Sequence, residues 1–275
     1  MPSNRLLATT NPKFGALLRT WRVSRRFTLL QLALEADVSA RHLGFLELGR
    51  AQPSRAMVLK LGEALDMPFR DQNVLLRAAG FAAVFPETEL SAPEAANVRA
   101  ILEMLLRNHE PFGAVALTHR WEVVMANRPQ SAFLSEVIGK AILPFEIIEE
   151  PRPSLLRLLF ESDVLRERLV NWNLVARETL HRARRDALWA QDEELEAVVR
   201  HLSGTLRSPM KEGDRELSVL LPVEVRTPGG VLRFFTTLTT LGAPQDVLLQ
   251  DLRVEAYHPA DAETEHSVRQ QFAFA

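Results

Sequence analysis

The stretch TLLQLALEADVSARHLGFLELGR, residues 28–50, constrains this chain more than any other. Thr28 is a good N-cap for LLQLALEA, with Gln31 at the capping-box position, and Ser39 opens a second helical run that Gly49 stops. Only the three residues DVS separate the two runs, so the second helix must turn sharply against the first. Ahead of this pair, FGALLRTWRVSRR carries Phe14, Leu17, Leu18 and Trp21 at i, i+3, i+4, i+7, which makes one apolar stripe. Behind it, AMVLKLGEAL turns Val58, Leu61 and Leu65 inward, and RDQNVLLRAAG ends at Gly80. The expectation is a mainly α bundle of five short helices within residues 1–82.

The second helix of the sharp pair does not hide all its faces. With Val38, Leu43 and Leu46 packed against Leu32 and Ala33, it presents Ala40, Arg41, Gly44 and Phe45 outward. A major groove admits a helix whose face is narrow, and an arginine can donate bidentately to a guanine edge. The same residues also fit a plainer arrangement, in which Gly44 relieves packing and Arg41 is solvated. Charge is distributed unevenly. Residues 1–82 hold 12 Lys+Arg against 6 Asp+Glu, and the remainder 21 against 29, within a net charge of −2. The first segment is therefore the one able to approach a polyanion.

These motifs resemble the Xre-type helix-turn-helix of phage Cro and repressor proteins over residues 14–80, through the VS, the Glu-x-Gly near the end of the reading helix and the Pro-Ser that opens the next. The resemblance places Ser39, Ala40, Arg41 and Phe45 where bases or flanking phosphates are met, and Arg22 and Glu47 where an ion pair joins the first and third helices. It departs at Leu29, where many such domains carry a phosphate-binding Gln. Phosphate binding then falls to backbone groups and to Arg19, Arg25, Arg26, Arg50 and Arg55. The expected DNA-binding set is Arg26, Thr28, Ser39, Ala40, Arg41, Gly44, Phe45 and Arg50, acting from a homodimer on double-stranded DNA, because one short helix reads too few base pairs alone.

A length of 275 residues suggests two domains, and 47% hydrophobic with 25% charged residues is ordinary for a soluble protein. No apolar run reaches membrane-spanning length, and MPSNRLLATTNPK lacks the apolar centre of a secretory signal, so a cytoplasmic protein without membrane contact is expected. The absence of cysteine excludes disulfides, thiolate nucleophiles and thiolate metal sites.

From residue 83 the character changes: AVFPETELSAP reads as a linker, residues 83–93, into a second domain spanning 94–275. A helix over 94–108 is followed by two β-like runs, AVAL and WEVVMA, then by a helix from Asn127 to Ile138 and a Pro-rich break. Residues 154–206 are long and helical; ELSVLLPVEVR, VLRFFTTLTTL and LLQDLRVEAYHP close the chain as strands, the first two joined by the turn TPGG. Two strands, a helical middle and three closing strands form the element order of an α+β PAS-like domain with a five-stranded antiparallel sheet. The whole chain is similar to the MmyB-like regulators, in PFGAVALTHRWEVVMAN, in Asn171–Trp172 and in TTLTTLGAPQDVLLQDLRVEAYHPADAETE.

That resemblance implies a small-molecule cavity under the sheet, and an amphiphile such as a fatty acid fits one lined by Leu, Phe and Trp with a cationic end. Arg177, His181 and Arg184 share one helix face, and charge-assisted hydrogen bonds from it would fix a carboxylate. The expected ligand-binding residues are Trp172, Arg177 and His181; a solvated cationic stripe and a core tryptophan are the alternative roles. YHPADAETEH groups His258, Asp261, Glu263, Glu265 and His266 without the spacing of a zinc motif, as a polar tail. HLSGTL is no nucleophile elbow and TPGG no phosphate loop. No metal, cofactor or catalytic residue is therefore expected. The leading function is a ligand-responsive transcription regulator. The alternatives are a constitutive DNA-binding protein whose C-terminal domain dimerises or recruits a partner, and an enzyme with a fused DNA-binding domain.

Overall fold

The computed structural model describes residues 12–206, 222–242 and 246–272, which fall into two compact units. The first contains α1 (Pro12–Ser24), α2 (Leu29–Glu35), α3 (Ala40–Glu47), α4 (Arg55–Ala64) and α5 (Phe69–Ala78). Local chemistry sets the starts of α2, α3 and α4. Thr28 and Gln31 form a reciprocal capping box, while Ser39 Oγ accepts from His42 N–H and Ser54 Oγ from Met57 N–H. Phe14, Leu18, Trp21, Leu32, Leu43, Leu46 and Leu61 are all buried in one core, the inward set that the periodicity implies.

Two contacts seat α1 against α3. A Cβ on Gly15 would come within 2.5 Å of Glu47 O and 2.6 Å of Leu46 O, so only glycine lets the helices approach this closely. The Arg22 guanidinium donates to Glu47 through Nε at 2.6 Å and Nη2 at 2.9 Å, and its Nη1 donates to Phe27 O at 2.9 Å. Arg25, expected to be available for phosphate, instead lies over the Trp21 ring and donates to Leu65 O and Asp66 O. It satisfies carbonyls at the end of α4.

The stretch expected as a linker is held locally. Buried Asn73 donates to Phe85 O and Glu87 Oε1 and accepts from the Val84 and Phe85 amides, while Phe85 stacks on Phe69 with ring centroids 4.1 Å apart. The first unit runs through Glu87 and also takes in residues 246–250. There Val247 N–H donates to Pro86 O, and Gln250 Oε1 accepts from Phe69 N–H, the first amide of α5. Further along, Arg99 holds the carbonyls of Leu90 and Ala92.

The second unit opens with a 3-10 turn (Pro93–Ala95) and α6 (Ala96–Asn108). Then come β1 (Ala114–Leu117), β2 (Val123–Ala126), α7 (Arg128–Ile138), α8 (Leu155–Glu161), α9 (Asp163–Arg168), α10 (Trp172–Ala190) and α11 (Glu193–Ser203). The last elements of this unit are β3 (Val223–Thr227), β4 (Gly230–Thr240), β5 (Arg253–Pro259) and α13 (Ala262–Phe272), while α12 (Val247–Asp251), between β4 and β5 in the chain, falls in the first unit up to Gln250. The five strands pair in the order β2-β1-β5-β4-β3, antiparallel throughout, so the fold is the α+β, PAS-like arrangement that the element order implies. The TPGG turn joins β3 to β4, and Gly230 takes φ 131°, which favours glycine. Asn127, fully buried, caps α7 and donates to Leu106 O and Phe112 O, tying the α6 end to the sheet.

Three expectations change. The long helical middle is four helices, because Ser154, Ser162 and Asp192 each cap a new start and Trp172 begins another. LLQDLRVEAYHP begins with the short α12 before β5; of ELSVLLPVEVR, the described end lies in the strand Val223–Thr227 and the earlier part lies outside the described residues. The polar tail is α13: Asp261 Oδ1 accepts from Thr264 N–H at 2.7 Å, and Val268 is buried. At the β1–β2 turn, His119 Nε2 is 3.0 Å from Asp192 Oδ2, while its Nδ1 lies 3.4 Å from Asp251 Oδ2, an ion-pair distance rather than a well-formed hydrogen bond.

Candidate functional site

Two surfaces carry the chemistry expected of this chain, one in each unit. On α3, Arg41 is exposed and its guanidinium lies 5.6 Å from the Phe45 ring centroid, one helical turn on. Ala40, Gly44 and Phe45 are half-exposed beside it. The nearest atom to a Cβ on Gly44 would be Leu29 Cδ1 at 3.9 Å, so Gly44 relieves no tight contact and keeps the helix face low. Ser39 and Thr28 spend their hydroxyls as helix caps, while Arg26 and Arg50 are exposed in the turns that follow α1 and α3. The structure thus gathers Ser39, Ala40, Arg41, Gly44 and Phe45 on one helix start, with Arg26, Thr28 and Arg50 on the turns and cap of the same unit.

In the second unit the helices α7 to α10 and the sheet enclose a cavity of about 1100 Å³. Its wall is mostly apolar, with Trp121, Phe133, Leu159, Leu165, Val225 and Phe234 among the lining side chains. Trp121 anchors one side. Its Nε1–H donates to Asp186 Oδ2 at 3.0 Å, and the guanidiniums of Arg182 and Arg253 lie 5.0 and 4.4 Å from its ring centroid.

Charges also enter the wall. Arg182 donates to Glu255 Oε1 at 3.3 Å, and Arg128 Nη1 to Glu110 Oε2 at 2.8 Å. Glu178, Thr179, Gln130 and Tyr257 complete the principal polar lining. Burial, and then the charge of Glu255, push the Tyr257 phenol upward, so it stays protonated and able to donate.

None of Trp172, Arg177 and His181 is among the residues that line this cavity. Trp172 is buried in the adjoining core, edge-on to Phe160, with its Nε1–H donating to Leu159 O. Arg177 is half-exposed and His181 exposed, because the inward face of α10 is the one that carries Val175, Thr179, Leu180 and Ala183. Adjacent helix positions lie about 100° apart, so Arg182 points inward where His181 cannot. One sequence signal for the missed pair was present: Glu255 is a lone carboxylate between Val254 and Ala256 in a strand, and α10 places Arg182 four residues after Glu178 and four before Asp186. Among the described residues, no group of three or more acidic or histidine side chains is arranged to hold a metal, and no helix is long and apolar enough to cross a membrane.

Residues 98–270 match the MmyB-like transcription regulator ligand binding domain, and residues 18–72 match a helix-turn-helix. A curated protein of Bacillus subtilis (strain 168), described as the uncharacterized HTH-type transcriptional regulator RghRB, is 35% identical over 82 residues, covering 30% of this chain and 57% of that protein. The chain therefore spans little more than half of this relative. Among solved structures, the restriction-modification controller protein C.AhdI from Aeromonas hydrophila is 31% identical, over 22% of this chain and 94% of its own, with a TM-score of 0.22. The clp gene regulator ClgR from C. glutamicum is 34% identical, over 27% of this chain and 92% of its own, with a TM-score of 0.23. The ligand-domain match alone covers more than half of the sequence, and the chain belongs to the MmyB-like transcription regulators.

Proposed function

We propose that this protein is a ligand-responsive transcription regulator that binds duplex DNA as a homodimer through α3 and senses a small, mostly apolar molecule in the cavity of its second unit. The observation that carries the DNA half is Arg41: exposed on the first turn of α3, set over Phe45, and beside a glycine that lets the helix sink into a groove. Ser39, Ala40, Gly44 and Phe45 share its approach surface, and Arg26, Thr28 and Arg50 supply contacts to phosphates. The cavity supports the sensing half by its volume and apolar wall. A ligand regulates DNA binding only if it favours one arrangement of the protein over another, since equal affinity shifts no population. A fatty acid fits the apolar wall, but its carboxylate would meet Arg128 and Arg182, each already paired with a lining carboxylate.

The test is operator selection on random duplex followed by binding of two variants. Arg41→Ala is expected to cost about 1–3 kcal/mol on the selected site and to relax preference at one base pair. Arg26→Ala is expected to weaken specific and random duplex alike and to flatten the salt dependence. Equal losses for Arg41→Ala on both duplexes would remove Arg41 as a base reader. Native mass spectrometry of the gently purified protein reads the cavity directly: a retained small apolar molecule that alters operator affinity supports the sensor. An empty protein with unchanged DNA binding on addition of alkyl ligands favours the constitutive regulator.

A further inference from the structure

The facing surfaces of α10 and β5 form a charge ladder. Asp186 on the helix meets Arg253 on the strand at 2.7 Å, and Arg182 meets Glu255 at 3.3 Å. Each step along the ladder takes four helix residues, about 6 Å, and two strand residues, about 6.7 Å, so the rungs stay nearly in register. Continued by one more step, the same spacing pairs Glu178 with Tyr257, and both line the cavity. Here the alternation breaks: the strand offers a neutral phenol where a cation would continue the pattern. Among the described residues Glu178 is exposed and has no hydrogen bond or ion pair.

The charges of the described lining point the same way. Among the described residues it carries three carboxylates, Glu110, Glu178 and Glu255, against two guanidiniums, Arg128 and Arg182. The two guanidiniums are taken by Glu110 and Glu255, which leaves Glu178 as the unmatched charge among the described lining residues. A carboxylate ligand would have to displace one of these pairs and would add a negative charge to a wall that already has an excess. An ammonium has an open partner in Glu178, next to the protonated phenol of Tyr257 in the same lining.

We propose that the cavity takes an amphiphile whose polar end is an amine or quaternary ammonium, seated against Glu178 beside Tyr257 as the missing third rung, with its apolar body along the Trp121 side of the wall. This rests on the sensor reading above and specifies the charge of the ligand's polar end. The experiment is isothermal titration calorimetry of the full chain with decylamine, decanol and decanoate at neutral pH, each below its micelle concentration. Decylamine is expected to bind about tenfold tighter than decanol, and decanoate weaker than both. Glu178→Gln, on an exposed side chain outside the core, is expected to bring decylamine down to the affinity of decanol while leaving decanol unchanged. Decanoate as the tightest ligand, decylamine no tighter than decanol, or decylamine binding that Glu178→Gln does not alter would each overturn the cationic assignment and leave the apolar sensor standing. Failure of all three ligands to bind would overturn the sensor reading itself.

Discussion

Glu47→Ala is expected to destabilise the helix-turn-helix unit by about 3–5 kcal/mol, the range for removing one partner of a buried pair and leaving the other charge uncompensated. The side chains of Arg22 and Glu47 are only 13% and 7% exposed, so water cannot replace the lost carboxylate without opening the seam between α1 and α3. The hydrogen bond from Arg22 to Glu47, against the cost of burial, raises the guanidinium above its ordinary value, which marks the pair as net favourable to the charged forms. In the variant, Arg22 keeps only its Phe27 carbonyl. Amide exchange measured by mass spectrometry on the full chain reads this unit separately: protection of Leu43 and Leu46 is expected to fall by about two to four powers of ten. Removing both charges in R22M/E47L is expected to cost less than Glu47→Ala alone, because no ion is stranded. A loss below about 1 kcal/mol for Glu47→Ala would show that the pair is effectively solvated.

The second large effect is a loss of stability of about 3 kcal/mol as pH rises from 6.5 to 9, carried by His119. Burial opposes the imidazolium, but the carboxylates of Asp192 and Asp251 outweigh it and raise the ring from 6.5 to about 9. A folded-state value above the unfolded one means that the contribution is fully present below pH 6.5 and disappears as pH passes 9. Asp192 behaves oppositely. Burial disfavours its charge, yet hydrogen bonds from His119, the Leu195 amide and Arg120 hold its carboxyl well below the usual range, so its contribution is lost as pH falls below 3.8. Urea denaturation of the wild type and of His119→Asn at pH 6.5, 7.5 and 9 checks this. The wild type is expected to weaken across the series and the variant to change little; parallel slopes would assign the pH dependence to other groups.

The legible parts of the sequence are those in which cause and effect lie a few residues apart. Thr28 and Gln31, Ser39 and His42, and the i, i+3, i+4, i+7 stripe from Phe14 to Trp21 all act within two helical turns, and the first unit forms as they specify. Strands β1 and β2 were visible as short apolar runs, and β3 and β4 through the glycine turn between them. α13 was missed because its polar run carries no clear apolar stripe; its cap on Asp261 and its burial of Val268 become visible only against the sheet. Arg25 looked like other exposed arginines until α4 folded back and offered it the carbonyls of Leu65 and Asp66, some 40 residues away.

The sequence by itself determined the helix-turn-helix, the outward face carrying Arg41, the number of strands in the sheet and the presence of an apolar interior, because capping and periodicity are local properties of the chain. Only the tertiary structure decided which side of α10 faces the cavity. A helix of mixed composition has several amphipathic faces, and the one that turns inward is set by partners distant in sequence: Glu255 for Arg182, 73 residues on, and Arg253 for Asp186, 67 residues on. A buried charge is stable only with its partner in place. The register of α10 over β5 therefore put Glu178 and Arg182 in the cavity wall and left Arg177 and His181 outside it.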